Sequence, residues 1–523
     1  MRDKKKIVRY VIRGISWAVL LAAYIYVIWF VHTNAWKQID ADCSSEMYLA
    51  KILSEGNGII TTDWDYSTEI RVLGTQIITS FLFRFMDNWQ LVRTVSSAIH
   101  IIIALASFFY LLKVMKVSKH FPLTALMILL PTSWIFLRIY TLNQGYYPHL
   151  IIMMTATALL FDKWNGKAKE IIRFCLIGIL ALLAGLGGPR LIVLYYFPMS
   201  LAMAFLFKSK REEISLTAYC AWGAFACNAV GTLINMKVLP EYFRVQDFTQ
   251  LSFRFFDMEV LGDNINYLIR TLGYVEGELN WRIGLYNLSF AVIFLMSVFA
   301  AYLGFKSSDI LSKIMSSYIV TAIAFYFLIQ IFMLRDTVDR YIIPISVMLL
   351  PMCVCNIVRC LPVNDKVTTR RVVIEMLTVL VAVVSFIRIY EFRDVDYAIK
   401  WREAAQYLVD NGIRNGYATF WNANNIVEYS NGYCDMYHWG SSDLIDVYDP
   451  ASLRHWLQPA SHFEKFPNGR VAVVITEGEY ENCSIKYALD QVGPAFKYDD
   501  LCVYVFDDTE TIKAYENQYV SED

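Results

Sequence analysis

Charge is what this 523-residue chain lacks. Only 18% of its residues are Asp, Glu, Lys or Arg, and 56% are hydrophobic. A soluble chain carries about 25% charged residues and roughly 45–50% apolar ones. Too little charge is left to cover a water-facing surface of this size, which excludes a soluble enzyme of several domains. A net charge is missing as well: 47 basic residues against 48 acidic ones leave −1, so no positive field is available for nucleic acid. No two of the ten cysteines have the CxxC spacing of a zinc or redox site. Cys175, Cys220, Cys227, Cys353, Cys355 and Cys360 lie in or beside apolar runs, where cysteine acts as a small hydrophobe. Cys43, Cys434, Cys483 and Cys502 are scattered. Of these, Cys483 and Cys502 are close enough in sequence to pair, though single thiols are the expectation. Internal repeats and low-complexity segments are absent, and an aromatic content of 15% excludes disorder.

Long apolar runs are what the chain has instead. A bilayer-spanning helix needs about 20 mostly apolar residues. Eleven such runs occur, at 12–32, 92–112, 121–139, 146–162, 171–187, 190–207, 214–236, 285–305, 314–334, 341–358 and 372–390. The first follows Arg2, Lys4, Lys5, Lys6 and Arg9, is too long for a signal peptide and has no small-residue cleavage site after it. It reads as an anchor with a cytoplasmic N-terminus. Lys113, Lys116 and Lys119, then Lys163, Lys167 and Lys169, then Lys208, Lys210 and Arg211 occupy alternate connections. Lys306 and Lys313, then Arg359, Lys366, Arg370 and Arg371, continue the alternation, which is the positive-inside bias. The expected fold class is an α-helical polytopic membrane protein of about 11 spans, N-terminus inside and C-terminus outside.

Residues 1–392 form the membrane module in this reading, with long outer loops at 33–91 and 237–284. Amphipathic stretches at Glu46–Leu53 and Val72–Phe85 are expected to lie along the membrane surface. Residues 393–523 change character. A helix-period segment at Asp396–Asn411 precedes strand-length runs at Tyr417–Trp421, Val471–Thr476 and Leu501–Phe506. Asn411-Gly412, Asn415-Gly416 and Asn431-Gly432 read as turns between the pieces. A small extracytoplasmic α/β domain is the expectation.

Ionisable groups are costly at membrane depth, and here they gather at the outer ends of the spans. Asp40, Asp42 and Glu46 follow the first span, and Arg138, Asn143, Gln144 and His149 lie between the third and fourth. Gly187-Gly188-Pro189-Arg190 links the fifth and sixth, and Arg335, Asp336, Asp339 and Arg340 link the ninth and tenth. The bland reading of the acidic cluster is a helix cap, with Asp42 or Ser44 at the N-cap and Glu46 in the first turn. Arg340 reads equally as a snorkelling cation and Tyr341 as an interfacial aromatic. His149, beside Tyr146 and Tyr147, reads more readily as packing than as a ligand. Against the bland readings, a short apolar hairpin has no structural need for Arg190 at its tip.

Asp42-Cys-Ser-Ser-Glu46-Met-Tyr48-Leu-Ala50, with Gly56, Trp64-Asp-Tyr66, Glu69 and Arg71 after it, resembles the first outer loop of the GT-C superfamily. Those are polytopic glycosyltransferases that use lipid-linked sugars, the protein mannosyltransferases and aminoarabinose transferases among them. Asp339-Arg340-Tyr341-Ile-Ile-Pro344 resembles a later motif of the same enzymes. The usual adjacent Asp-Glu is here split by three residues, which leaves open whether Asp42, Asp40 or Glu46 is the essential carboxylate. The resemblance implies a polyprenyl-phosphate sugar donor held at the outer membrane face and an inverting transfer to the hydroxyl of a saccharide, lipid or protein. Asp42 would be the base, with Asp40 and Glu46 the lesser candidates. Arg190 and Arg340 would hold the phosphate, assisted by Arg138 or Arg335, with Tyr341, Trp64, Tyr66 and His149 as further substrate contacts. No cofactor is required by this chemistry, although Asp40-x-Asp42 offers hard oxygen ligands to a divalent cation. In the C-terminal domain Trp421, Tyr433, Tyr437, Trp439 and Trp456 are candidates for binding carbohydrate, with core packing as the ordinary alternative. A transporter or flippase of lipid-linked saccharides and a non-catalytic scaffold are the competing classes. A transporter favours broken helices and polar groups near the midplane.

Overall fold

In hydrocarbon every backbone N–H and C=O must be bonded within its own segment, which makes a long apolar run a helix. The computed structural model describes residues 2–56, 58–138, 145–246, 253–333, 339–360, 368–439 and 449–522. In it α1 (Arg2–Asn34) is followed by a first loop carrying α2 (Ala41–Gly56), β1 (Trp64–Asp65) and α3 (Gln76–Phe83). Next come α4 (Trp89–Val114), the single turns α5 (Phe121–Thr124) and α6 (Leu126–Leu129), α7 (Tyr147–Phe161) and α8 (Lys167–Gly185). After α9 (Phe197–Leu233), the second long loop holds α10 (Met258–Thr271). α11 (Trp281–Lys306), α12 (Ile310–Phe332), α13 (Ile343–Cys360) and α14 (Thr368–Phe392) complete the bundle.

Among the described residues, five helices are long and apolar enough to cross a membrane: Tyr10–Lys37, Trp89–Val114, Trp281–Lys306, Ile310–Phe332 and Arg340–Cys360. The run at 121–139 departs from the expected continuous span. Leu130 precedes Pro131 and has extended backbone (φ −100°, ψ 109°), because the proline ring disfavours helical geometry in the residue before it. The basic connection after the sixth run is a break inside α9, where Lys210 alone leaves helical geometry. The two halves of α9 fold back on each other, so that Trp222 Nε1 donates to Ser200 O at 3.1 Å and Ser200 Oγ to Ala221 O at 3.2 Å. α8 meets the second half of α9 through glycines. A Cβ on Gly185 would lie 2.7 Å from Thr232 N, so only small residues permit this approach of two backbones.

The C-terminal residues form α15 (Ile399–Asp410), β2 (Asn415–Thr419), α16 (Phe420–Tyr429), β3 (Asp435–Trp439), β4 (Gln458–Pro459) and β5 (Val471–Thr476). α17 (Glu477–Tyr480), α18 (Lys486–Val492), β6 (Phe496–Tyr498), β7 (Leu501–Phe506) and α19 (Thr509–Glu522) follow. The sheet order is β3-β2-β5-β7-β6, parallel across the first three strands and antiparallel across the last two pairs. Strand alternation sends Ala418, Val474 and Val503 to one face and Tyr417, Val473 and Tyr504 to the other. Asn415-Gly416 is not a turn but the start of β2, whereas Asn431-Gly432 does turn, both residues having positive φ. All ten cysteines are free thiols, Cys483 and Cys502 included.

The first of those faces does not stop at the domain boundary. Its core continues into Met47, Ala50, Leu82, Phe83, Trp89 and Val92, from α2, α3 and α4. Arg93 of α4 makes a two-bonded ion pair with Glu428 of α16 (2.9 and 2.8 Å), with both side chains almost wholly buried. α2 therefore lies beneath the C-terminal domain, where its apolar stripe finds a protein partner.

Candidate functional site

α2 has two faces, and helical spacing assigns them. Ser44, Met47 and Ala50 meet the C-terminal domain, Ser44 Oγ bonding Asn425 Oδ1 at 3.0 Å. Asp42, Ser45, Glu46 and Leu49 line a cleft of about 270 Å³. Asp42 and Glu46 stand one helical turn apart, so the three residues between them do not separate them in space. The capping role falls to neither Asp42 nor Ser44. Asp40 precedes the helix, and its Oδ1 accepts the Cys43 N–H at 3.1 Å.

Every acidic side chain of the cleft has a guanidinium partner. Arg340, in the turn that opens α13, places Nη1 2.9 Å from Asp42 Oδ2. Arg138 Nη2 is 2.9 Å from Asp40 Oδ2. Glu46 pairs with Arg71 and accepts from Thr75 Oγ1 at 2.6 Å. Glu69 Oε1 is shared by Arg190 Nη2 (3.0 Å) and Arg71 Nε (3.2 Å). Arg190 is also stacked over Tyr341 and Tyr146, 5.3 and 5.9 Å from the ring centroids. The chain reaches Arg190 through Gly188, whose φ is +100° and whose hydrogen faces Glu69; a Cβ there would stand 2.9 Å from Glu69 Cδ and nearer still to Oε2. Glycine is what lets this turn approach the carboxylate.

Burial opposes ionisation of Asp40, but hydrogen bonds from Cys43 and the charge of Arg138 outweigh it and hold its carboxyl below the ordinary value. Burial pushes the Tyr66 phenol up to about 12, so Tyr66 is a neutral hydrogen-bonding group; it accepts from Thr61 N at 3.0 Å. Trp64 is fully buried in the wall of the cleft. β1 pairs antiparallel with β4, Trp64 opposite Pro459, and this brings Trp456 and Leu457 of the C-terminal domain over the cleft.

Of the residues expected to act together, Asp42, Asp40, Glu46, Arg190, Arg340, Tyr341, Trp64 and Tyr66 all line this cleft, and Arg138 reaches it through Asp40. His149 stands behind it. It is buried against Tyr146 and faces a smaller hollow shared with Glu46, Arg71 and Gly187. Arg335, Asp336, Asn143 and Gln144 lie outside the described residues. Glu69 and Arg71 were not assigned roles from sequence, although both stand in the motif stretch itself; Trp456, expected only as one of five candidate carbohydrate-binding aromatics, lines the cleft. The other C-terminal aromatics divide: Tyr437 and Trp439 are core, and Trp421 is exposed away from the cleft lining. Asp40 and Asp42 do not converge as cation ligands, since each turns to its own arginine. Among the described residues no group of three His, Cys, Asp or Glu is arranged to hold a metal.

No protein-family profile matches the chain, and no curated protein matches it. Solved structures do. ArnT from Cupriavidus metallidurans in the apo state superposes with a TM-score of 0.61 at 12% identity, over 94% of this chain and 98% of that one. The same protein bound to undecaprenyl phosphate gives 0.57 at 12% identity, over 93% and 97%. The oligosaccharyltransferase of Archaeoglobus fulgidus tethered with an acceptor peptide gives 0.51 at 11% identity, over 88% of this chain and 69% of that chain. These likenesses show the fold: the chain shares the helical-bundle architecture of those proteins, with a small sheet domain at the C-terminus. Together with the membrane-length helices, they make this an integral membrane protein.

Proposed function

We propose that the protein is a glycosyltransferase that moves a sugar from a polyprenyl-phosphate donor to an acceptor hydroxyl in this cleft. The observation that carries the reading is the Asp42–Arg340 pair beside Arg190, a carboxylate and two guanidinium groups from three distant parts of the chain. Guanidinium groups suit phosphate oxygens through paired hydrogen bonds and stabilise the charge that develops on a phosphate leaving group. A positioned carboxylate contributes about 10²–10⁴-fold by taking the acceptor proton. The acceptor oxygen attacks the anomeric carbon, and the carbon–oxygen bond to phosphate breaks. Polyprenyl phosphate leaves with the bonding electrons, the hydroxyl proton passes to Asp42, and this single displacement inverts the anomeric centre. ArnT, which shares the fold, has been captured with undecaprenyl phosphate, and that supports a polyprenyl phosphate as the lipid here.

The ion pairs add a mechanistic step. Arg340 cannot give its best geometry to a phosphate and to Asp42 at once, so an arriving donor displaces Asp42 from the guanidinium. The base is released when the donor is present and stays paired with Arg340 when it is absent.

A transporter would place its polar groups at the bilayer midplane to meet cargo. The buried membrane asparagines here are spent on structure: Asn228 Nδ2 donates to Ala181 O at 3.0 Å, and Asn235 Nδ2 to Ile70 O at 2.6 Å and Leu186 O at 2.8 Å. The test is sugar transfer from synthetic polyprenyl-phosphate sugars by the purified protein. Asp42→Asn is expected to lower turnover by about 10²–10⁴-fold while polyprenyl phosphate binds as well as before or more tightly, its internal competitor for Arg340 having lost its charge. Undiminished turnover would remove Asp42 as the base.

A further inference from the structure

One part of the cleft does not come from the membrane module. Trp456 and Leu457 belong to the segment between β3 and β5 and close the cleft on the side of the C-terminal domain. Three buried polar side chains hold that segment. His438 Nδ1 bonds Trp456 O at 3.0 Å, Asn424 Nδ2 donates to Leu457 O at 3.1 Å, and Gln458 Oε1 accepts from His438 N at 3.0 Å. His438, Asn424 and Gln458 are each wholly inaccessible to solvent. Leu457 has φ +51°, a left-handed backbone that a leucine adopts only when its surroundings impose it. So much fixed structure around two residues holds the indole of Trp456, which is only half-buried, in one place at the mouth. Phe420 meets its edge at 6.5 Å and the Arg454 guanidinium lies 5.6 Å from its ring centroid.

A second observation lies among the other residues that line the cleft. Trp64 Nε1 and Tyr146 Oη, both on buried residues that line the cleft, have no hydrogen-bond partner among the described residues. Buried donors without acceptors are rare and costly. An aromatic side chain and two unspent donors lining one cleft are the chemistry that recognises a sugar ring, apolar on its C–H face and rich in oxygen acceptors at its edge.

We propose that Trp456, with Trp64 and Tyr146, forms an acceptor subsite, and that the acceptor is a saccharide whose hydroxyl is presented to Asp42. The inference rests on the glycosyltransferase reading and names its acceptor class. Trp456 acts in it as a specificity-determining residue contributed by the C-terminal domain.

The experiment uses the full-length protein in nanodiscs with a polyprenyl-phosphate sugar and three acceptors: pyranose oligosaccharides, a Ser/Thr-containing peptide and a long-chain alcohol. Slow hydrolysis of the donor and binding of polyprenyl phosphate are followed in parallel. Wild-type protein is expected to glycosylate the oligosaccharides. Trp456→Ala should raise KM for them about tenfold, with kcat, donor hydrolysis and polyprenyl-phosphate binding nearly unchanged. Trp456→Tyr, which keeps an aromatic face, should recover most of the loss. Preferred transfer to the peptide or the alcohol overturns the saccharide assignment and leaves glycosyl transfer standing. An unchanged KM in a folded Trp456→Ala protein overturns the subsite. Absence of both transfer and donor hydrolysis in the wild type would instead overturn the glycosyltransferase reading itself.

Discussion

Replacing Gly188 by alanine tests whether the Arg190 side chain is positioned by Glu69. The added Cβ would sit 2.9 Å from Glu69 Cδ and closer to Oε2, at a residue whose φ is +100°. Backbone strain of this kind costs about 1–3 kcal/mol. The carboxylate, to reach ordinary contact, has to retreat by roughly 1 Å, and misplacement of that size costs about 10²-fold in rate when the displaced group serves the reaction. Glu69 is the ion-pair partner of Arg190 at 3.0 Å, so Arg190 moves with it or loses a charge-assisted bond of about 1.5–3 kcal/mol. Gly188→Ala is therefore expected to weaken polyprenyl-phosphate binding about tenfold or more and to lower turnover by about 10²-fold. Isothermal titration with polyprenyl phosphate and initial-rate measurements on detergent-solubilised protein read both effects. Gly187→Ala is the matched control, because its Cβ would meet only Ala184 O at 3.2 Å and its backbone is unstrained. Shortening the carboxylate in Gly188→Ala/Glu69→Asp should return part of the loss. A Gly188→Ala protein that binds and turns over like wild type would falsify the positioning of Arg190 by Glu69.

Two further predictions concern the junction of the domains. Arg93→Ala leaves Glu428 unpaired in the core and should destabilise the docked C-terminal domain by about 3–5 kcal/mol, read as faster proteolysis of residues 393–523 and a lower denaturation midpoint. Replacing both partners by methionine should restore much of it. The second prediction turns on acid. Asp435 is held below the ordinary carboxylate value: burial opposes its charge, but His462 and the Tyr48 hydroxyl, bonded to it at 2.9 and 2.7 Å, outweigh that. A depressed value means the folded state gains stability from this group above pH of about 4 and loses it as pH falls through the lower folded value. Hydrogen exchange in the β3 strand should accelerate over that acid range, and less steeply in Asp435→Asn. An identical acid response in the two proteins would assign the effect to other groups.

The sequence announces the helices because lipid leaves a long apolar run few alternatives. It conceals the break at 121–139, where one proline outweighs an apolar composition. β5 and β7 are legible as Val471–Thr476 and Leu501–Phe506, with the bounds expected, since both are nearly unbroken apolar stretches. β3 is not, because Asp435-Met-Tyr-His-Trp439 owes its strand geometry to its neighbour β2 rather than to its own pattern. At the site, the split between Asp42 and Glu46 looks like a departure only in linear sequence; on α2 it is the spacing that brings both to one face. Glu69 and Arg71 carried a signal, charge within an aromatic-rich loop, but their value lies in partners more than a hundred residues away or a turn of α2 distant. Trp456 carried only its residue type, one aromatic among five candidates, since its place at the cleft depends on β1 pairing with β4.

The cleft draws on residues from Asp40 to Leu457, and that span sets an order for making the protein. A ribosome delivers the carboxylates of α2 before the guanidinium groups of Arg190 and Arg340, and the closing tryptophan after both. A nascent or truncated chain already in the bilayer would hold a bare α2 with its apolar stripe uncovered.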